Sequence, residues 1–282
     1  MRKYALLAVL AALYLILLHP FTSYMRNKPV IEKLSYIPKP GILRLISADQ
    51  YHFVSAMLVL NIMSYFGGIG DQVGNKVNLP PEYSAMKSAL EAAVKLDPYN
   101  MDAYYFAQAI MVWDAGQVRA ATELMEYGMK YRTWDFYLPF FAGFNYAYFL
   151  KDYEHAAICF KRVGDLTGSD LTINLAGRYM YESGRTDLAI SYLSMMTISA
   201  TNDAVRKSLQ TRLQALQGVR HIEEAEERYI SKFHRIPRSM EELMKQGFLT
   251  DLPVDPYGGK YYIDELGKVR TTSKLAFSNN IK

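Results

Sequence analysis

Along the centre of the chain, apolar residues recur every three to four positions, the spacing of an α-helix with one buried face. From residue 82 to about residue 200, the pattern comes in segments of roughly 12 to 15 residues separated by short polar turns. Consecutive helices joined by short turns form helical hairpins. The pattern therefore predicts an all-α fold for this part of the chain.

The N-terminal segment follows a different pattern. Residues 4–18 are an unbroken apolar run after Arg2 and Lys3. A helix without a polar face is disfavoured as a core helix of a soluble domain. The run is short for a membrane span, which takes roughly 20 residues, and bulky residues follow it where a signal-peptide cleavage site would need small ones. We expect an uncleaved signal anchor over residues 1–21, contacting the membrane through residues 4–21, with a cleaved signal peptide as the alternative.

Charge places this anchor in context. The chain has a formal net charge of +4, and residues 1–40 contain six Lys or Arg residues against one Glu. Basic residues beside an apolar segment fit a membrane surface, and no other stretch is basic enough to predict nucleic-acid binding. Arg2 and Lys3 favour a cytoplasmic N-terminus. We expect a single-pass protein of a bacterial inner membrane with its soluble part in the periplasm.

Residues 22–46 have the composition of a linker, with prolines at 29, 38 and 40 that disfavour helix. Ser47 and Gln50 have capping-box spacing and predict a helix from there to Phe66, ended by Gly67 and Gly68. This helix is apolar nearly all round, which predicts burial in protein, with a second membrane span as the alternative. Residues 67–81 are rich in Gly, Asn and Pro and predict a long loop.

A small residue recurs early in three successive helices, at Ala120, Ala156 and Ala189, with spacings of 36 and 33 residues. Four residues after each alanine comes a large apolar residue, namely Leu124, Phe160 and Leu193. Positions i and i+4 share a helix face. The small residue allows a paired helix to approach closely, and the large residue fills the space one turn later.

These positions resemble the tetratricopeptide (TPR) family of helical repeats, whose second helices have a small residue followed four positions later by a large one. The segment 96–100, LDPYN, resembles the end of such a repeat. The first helices match less closely, through Ala107-Gln108, Gly143-Phe144 and Ala176-Gly177. The resemblance implies a TPR-like helical-hairpin solenoid over residues 47–234, with a concave surface that binds a protein or peptide.

Aromatic residues are concentrated in the third repeat, between residues 131 and 149, in a chain with 23 Tyr and 13 Phe residues. One face of a helix with a period of 3.6 residues cannot bury all of them, so some are expected in the core between repeats and others in a binding groove. The residues predicted to contact a partner are Tyr104, Tyr105, Tyr137, Phe140, Phe141, Phe144 and Tyr148.

Residues 235–282 predict a small C-terminal module. Ser239 and Glu242 have capping-box spacing for a short helix, and residues 260–263 and 268–271 predict two strands around a turn near Gly267. The segment LPVDPYGGKYY resembles a motif in the C-terminal part of type II secretion pseudopilins, and one implication of this resemblance is a calcium site with Asp251, Asp255 and Asp264 as carboxylates. The other interpretation is a tight turn at residues 255–259.

Motifs for catalysis are scarce. The single cysteine and five histidines have no metal-ligand spacing, and no nucleophile elbow, phosphate-binding loop or dinucleotide motif occurs. We therefore expect no catalytic residue, cofactor or metal, and a protein that is not an enzyme. The alternative is a small-molecule-binding protein or enzyme using residues 49–81, where Asp49, His52 and Asp71 would converge.

The sequence thus predicts a membrane-anchored, TPR-like scaffold that binds a protein or peptide partner in a cell-envelope assembly such as secretion, pilus or export machinery. It does not predict which partner or pathway.

Overall fold

The computed structural model describes residues 2–27, 34, 37–74 and 82–275. The chain divides into two compact units, Met1–Arg132 and Thr133–Lys282. Helices account for most of the described residues, and a small antiparallel β-hairpin lies near the C-terminus. The prediction of packed helices followed by a C-terminal helix and hairpin is confirmed.

The first unit begins with helix α1 (Arg2–Asn27), which contains the predicted anchor segment. The large apolar side chains of α1 whose placement is described are exposed along its length, including Ile16 at 70%. In the described parts of the chain, no helix combines the length and the hydropathy required of a membrane span.

Five further helices of the first unit are described after α1, and the first four of these precede Ala115. They are α2 (Pro40–Ser47), α3 (Tyr51–Gly74), α4 (Tyr83–Leu96) and α5, which starts as an α-helix (Met101–Phe106) and continues as a π-helix (Ala107–Asp114). The unit ends with α6 (Val118–Met129). Helices α2 and α3 pack on α4, and α5 packs on α6.

Three predictions about the region before α4 were wrong. The linker is partly helical, because Pro40 stands at the first position of α2, where its missing N–H costs nothing. Ser47 ends α2, donating its hydroxyl hydrogen to Arg44 O, and does not cap the next helix. Gly67 and Gly68 do not end α3, since a glycine lowers helix stability by only ~1 kcal/mol and does not block the chain. The rest of the predicted loop, residues 75–81, lies outside the described residues.

Helix α3 is buried on one side only. Leu58, Val59, Ile62 and Tyr65 are buried, whereas Phe53, Leu60 and other apolar residues of the opposite side are exposed. The prediction of full burial was therefore wrong for half of this helix.

The LDPYN segment forms the turn between α4 and α5, and α3 holds it in place. Ser55 of α3, which is fully buried, donates a hydrogen bond to Ala93 O and accepts one from Asn100 Nδ2, both at 2.9 Å. Asn100 Oδ1 accepts the N–H of Ala103 and caps α5. The turn thus connects three helices through one buried hydroxyl.

The second unit contains α7 (α-helical over Tyr137–Phe144 and π-helical over Asn145–Leu150), α8 (Tyr153–Thr167), α9 (Asp170–Glu182), α10 (Thr186–Ser199) and α11 (Asp203–Phe233). Each of these helices packs on the next one, and α9 also packs on α11. The unit ends with α12 (Met240–Lys245) and the strands β1 (Tyr261–Ile263) and β2 (Val269–Thr271).

Small residues bring the helices of the second unit close together. A Cβ atom on Gly143 of α7 would lie 3.1 Å from a ring carbon of Phe160 in α8, and one on Gly177 of α9 would lie 2.8 Å from Leu193 in α10. Phe160 and Leu193 are the large residues that follow the buried alanines Ala156 and Ala189. In the first unit the buried small residue is Ala121, whereas Ala120 is half-buried, so that prediction was off by one residue.

The hairpin is attached to α11. Tyr261 pairs with Thr271 across the two strands, and the Tyr261 hydroxyl donates to Ala215 O at 3.0 Å. A Cβ atom on Gly218 would lie 2.7 Å from that hydroxyl, so the glycine leaves room for the tyrosine. Helix α11 continues through Gly218 without a break.

Candidate functional site

An aromatic groove lies between α7 and α9 of the second unit, with α8 as its floor. Its cavity has a volume of about 380 Å³. The groove is lined by Phe140, Phe144, Ala147, Tyr148, Lys151, Tyr153, Phe160, Leu175, Arg178, Tyr179 and Glu182. Apolar rings with a few charged groups are the composition of a typical binding site.

Three residues predicted to bind a partner line this groove. Phe144 and Tyr148 stack with their ring centroids 5.4 Å apart and their planes 11° apart. Phe140 meets the edge of Phe160 with a centroid distance of 6.0 Å. Tyr148 is 58% exposed, and both phenylalanines are half-buried. The stacked pair on α7 therefore offers an accessible ring surface.

Tyr137 and Phe141 do not line the groove. Tyr137 is exposed and stacks on Phe136 with a centroid distance of 4.2 Å, and its ring lies 6.4 Å from that of Phe141. The N–H of Tyr137 donates to Asp135 Oδ1 at 2.7 Å, which fixes the start of α7. These rings form a separate aromatic cluster at the beginning of α7.

The two tyrosines predicted in the first unit have opposite environments. Tyr104 is 1% exposed, and its hydroxyl donates to Pro98 O in the LDPYN turn. It belongs to the core, so its assignment to a partner-binding surface was wrong. Burial raises the pKa of its hydroxyl above the usual range. Tyr105, the next residue, is exposed beside Phe106.

The α9 side of the groove was missed in the sequence. Arg178 and Glu182 stand 34 residues after Phe144 and Tyr148, which line the groove, whereas Leu175 stands 34 residues after Phe141, which was predicted to contact a partner but does not line it. That offset equals the distance between Gly143 and Gly177, which make equivalent contacts. Translating the α7 positions by one repeat would have found these residues, whereas their mixed chemistry gave no signal by itself.

The three charged side chains of the groove differ in how they are paired. Lys151 lies over the Tyr148 ring, with its Nζ 5.3 Å from the ring centroid. The Nε of Arg178 is buried and has no hydrogen-bond partner among the described residues. Glu182 is paired with Arg270 of the hairpin. An unpaired buried donor carries a desolvation cost, so the Arg178 guanidinium is the least neutralised charge of the groove.

The carboxylates of the C-terminal module serve the turn. Asp255 is 3% exposed and accepts hydrogen bonds from Tyr257 N at 2.9 Å, Ser273 Oγ at 2.7 Å and the Thr271 hydroxyl. Gly258 N donates to Asp255 O at 2.9 Å, which closes the tight turn that was one of the two interpretations. Asp251 is exposed. Across the described residues, no group of three His, Cys, Asp or Glu side chains is placed to hold a metal ion.

Asp264 has a similar structural role in the hairpin turn. It accepts hydrogen bonds from Leu266 N at 3.0 Å, Lys268 N at 2.8 Å and Arg270 Nε at 3.2 Å. Burial opposes ionisation of Asp264, but these hydrogen bonds outweigh it and hold the pKa of the carboxyl below its usual range. Asp255 and Asp264 thus use their oxygens within the module.

In the alternative site in residues 49–81, His52 pairs with Asp97 and not with Asp49. His52 Nδ1 lies 2.9 Å from Asp97 Oδ2 of the LDPYN turn, and Asp49 is exposed in the 3-10 turn before α3. The side chain of Asp71 lies outside the described residues. The histidine therefore links α3 to the end of α4.

Comparisons with known proteins give no relative: no protein-family model, no curated protein and no solved structure matches this chain.

Proposed function

We propose that this protein is a membrane-anchored, TPR-like scaffold whose aromatic groove binds an extended segment of a protein partner in a cell-envelope assembly. The observation that carries the proposal is the groove itself. The stacked rings of Phe144 and Tyr148 line one cavity together with Arg178, whose buried Nε has no hydrogen-bond partner among the described residues. Aromatic rings of this kind provide binding energy, and hydrogen bonds from the guanidinium would fix the orientation of the bound segment.

The chemistry of the groove favours a peptide over a nucleic acid or a reactive substrate. A peptide backbone has a carbonyl oxygen at every residue, and such an oxygen can accept a hydrogen bond from the Arg178 guanidinium that lines the groove. Apolar or aromatic side chains of the same segment would pack against Phe140, Phe144 and Tyr148. The lining carries no nucleophile with an adjacent base, so binding without catalysis is the function that we propose.

The TPR-like part of the proposal is supported by repeated contacts. The pairs Gly143–Phe160 and Gly177–Leu193 have the same geometry, and their glycines are 34 residues apart. In helical repeats, equivalent positions of successive first helices line one face. The groove lining from α7 and α9 follows that relationship.

The anchor is supported by exposure of α1. Large apolar side chains such as Leu7 and Ile16 are exposed in the described part of this helix. Exposing them to water is unfavourable by roughly 25 cal/mol per Å² of apolar surface. We therefore propose that α1 enters a bacterial inner membrane and that the helical units lie in the periplasm.

Site-specific crosslinking tests the proposal. A photoreactive phenylalanine analogue in place of Tyr148 in the full-length chain, irradiated in native membranes, is expected to crosslink to one envelope protein. The same analogue in place of Tyr105 is the matched control, since the two tyrosines are 58% and 59% exposed. Tyr105 was also predicted to contact a partner but does not line the groove, so under this proposal it should not give that product.

A double variant of the groove lining shows whether the crosslink depends on the groove. The double variant Phe144→Ala/Leu175→Ala, with the analogue kept at position 148, should lose the crosslinked product while the protein stays folded by circular dichroism. Equal products at positions 148 and 105, or a product unaffected by the double variant, would exclude the groove as the binding site.

A further inference from the structure

A second cavity of the second unit lies apart from the aromatic groove and has a different chemistry. It has a volume of about 670 Å³ and lies between the start of α10, the middle of α11 and the hairpin turn. It shares no lining residue with the groove. We call it the acidic cleft. Its lining is Gly184, Arg185, Thr186, Asp187, Leu188, Arg220, Glu223, Glu226, Glu227, Ile230 and Gly267.

Most charges of the acidic cleft are already paired. Arg220 Nε lies 2.8 Å from Asp187 Oδ1, and Arg220 Nη1 lies 2.8 Å from Glu227 Oε1. Glu223 accepts a hydrogen bond from Thr186 Oγ1 at 2.9 Å. Arg185 is paired with Glu154 outside the cleft. Asp187, Glu223 and Glu227 therefore each have a donor.

Glu226 differs from these residues. Its side chain lines the cleft and is only 7% exposed, yet it has no hydrogen bond or ion pair with any described residue. A buried carboxylate without a partner is costly, because both burial and neighbouring negative charges oppose its ionisation. The acidic cleft therefore contains a built acceptor that none of the described residues uses.

We propose that the acidic cleft binds an alkylammonium group and that Glu226 is the carboxylate that pairs with it. With all side chains charged, the lining has four carboxylates against two guanidinium groups, so a cation is the complementary ligand. The ammonium group has three donors, which matches Glu226 together with Glu223 Oε2, an oxygen that Thr186 does not contact and that lies 4.0 Å from Arg220 Nη1, beyond hydrogen-bond distance. Leu188 and Ile230 provide apolar wall for an alkyl stem.

The dimensions and donor geometry favour an organic cation over a metal ion. The cavity is far larger than a single ion, and the described carboxylates form no group that could surround one. An alkylammonium group can come from a free diamine or from a lysine side chain of a peptide, and the two sources present the same chemistry to Glu226.

The acidic cleft also predicts how binding depends on pH. Burial and the charges of Glu223, Asp264 and Glu227 raise the pKa of Glu226 to about 7. The groups that face it are Glu223, Glu227 and Arg220 on its own helix, Arg185 and Asp187 at the start of α10, and Asp264 in the hairpin turn. A bound ammonium group favours the ionised carboxylate, so binding should release a proton near neutral pH.

Calorimetry on the full-length protein tests the proposal with two probes, 1,5-diaminopentane and an end-capped Gly-Lys-Gly peptide. At least one should bind, and about tenfold more tightly at pH 8 than at pH 6, because the ionised fraction of a group with a pKa near 7 rises by that factor. Binding of the diamine alone indicates a free small molecule, and binding of the peptide alone indicates a protein segment. Failure of both probes at pH 8 would overturn the proposal.

Two variants assign the binding to Glu226. Glu226→Gln should weaken binding at least about tenfold and remove the pH dependence, because it keeps the shape and removes the charge. Glu265→Gln removes one charge from the exposed hairpin turn and should bind as the wild type does. Equal loss in both variants would mean general electrostatic attraction and would contradict the proposal.

Titration of Glu226 by nuclear magnetic resonance provides an independent measurement. The carboxyl carbon of Glu226 should titrate near neutral pH in the free protein and at clearly lower pH with the probe bound. An unchanged midpoint in the presence of a bound probe would show that the cation binds elsewhere.

Discussion

Gly177 of α9 lies directly against Leu193 of α10: a Cβ atom on the glycine would come within 2.8 Å of Leu193 Cδ1 and 3.0 Å of its Cγ. Leu193 is fully buried, so its side chain has no free volume into which it could move. The absence of a side chain at Gly177 therefore sets how closely the two helices approach.

This contact predicts that Gly177→Ala destabilises the protein although alanine favours helix. Overpacking of a filled core costs about 1–3 kcal/mol, which exceeds the helix-propensity gain of ~1 kcal/mol. Urea denaturation of the wild type and the variant measures the difference. Gly67→Ala in α3 is the matched control, because a Cβ atom there meets nothing within 4 Å and should stabilise the helix. Stabilisation by both substitutions would contradict the proposed packing.

Asp255 predicts a second stability effect. Asp255→Ala removes the acceptor for Tyr257 N, Ser273 Oγ and the Thr271 hydroxyl. Leaving such groups without a partner in a buried turn should cost on the order of 3 kcal/mol. Limited proteolysis should then cut first within residues 255–273. Asp251→Ala, an exposed carboxylate of the same module, should leave both stability and the cleavage pattern unchanged. If Asp255→Ala and Asp251→Ala had the same stability and the same cleavage pattern, the buried hydrogen bonds of Asp255 would not hold the hairpin.

Much of the helical fold could be predicted because amphipathic helices leave a periodic pattern in the sequence. The strands at 261–263 and 269–271 were also predictable, since Gly267 marks the turn between them and has the positive φ, 77°, that such a turn requires. The region before α4 was not, because proline and glycine act differently according to position. Pro40 starts a helix, and Gly67 lies inside one.

The candidate site was predictable on one side only. The aromatic residues of α7 stand out in composition, but only packing decides that Phe144 and Tyr148 line the groove while Tyr137 lies outside it. On α9, nothing in the local sequence marks Arg178 as a site residue. Its role rests on its place in the lining of the cavity and on a buried Nε that has no partner among the described residues. Glu226 was missed for the same reason: its lack of a partner depends on a tertiary arrangement of three elements.

Ser55 predicts a third stability effect, in the first unit. Ser55→Ala removes the acceptor for Asn100 Nδ2 and a donor to Ala93 O at a fully buried position. The expected cost is about 1–3 kcal/mol, the penalty for leaving buried polar groups without partners. Ser64→Ala, on the exposed side of the same helix, should change stability by less than about 0.5 kcal/mol. Equal free energies of unfolding for the two variants would show that the hydroxyl does not hold the LDPYN turn.

Glu226 predicts a pH-dependent stability difference in the protein without ligand. The pKa of Glu226 is raised from 4.5 to about 7 by burial and by its acidic neighbours, so the folded state binds the proton more tightly than the unfolded state does. The stabilising contribution of the protonated Glu226 side chain to the folded state is therefore fully present below pH 4.5. It is lost as the pH rises through 7. Glu226→Gln removes this titration, and the variant should gain stability relative to the wild type over that window, by on the order of 1–3 kcal/mol in total. Denaturation curves at pH 4, 5, 6, 7 and 8 measure the difference, and Glu265→Gln should follow the wild type. If the difference in the free energy of unfolding between the wild type and Glu226→Gln were the same at every pH, folding would not change the pKa of Glu226. Glu226 would then not be the unpaired buried carboxylate that the acidic cleft requires.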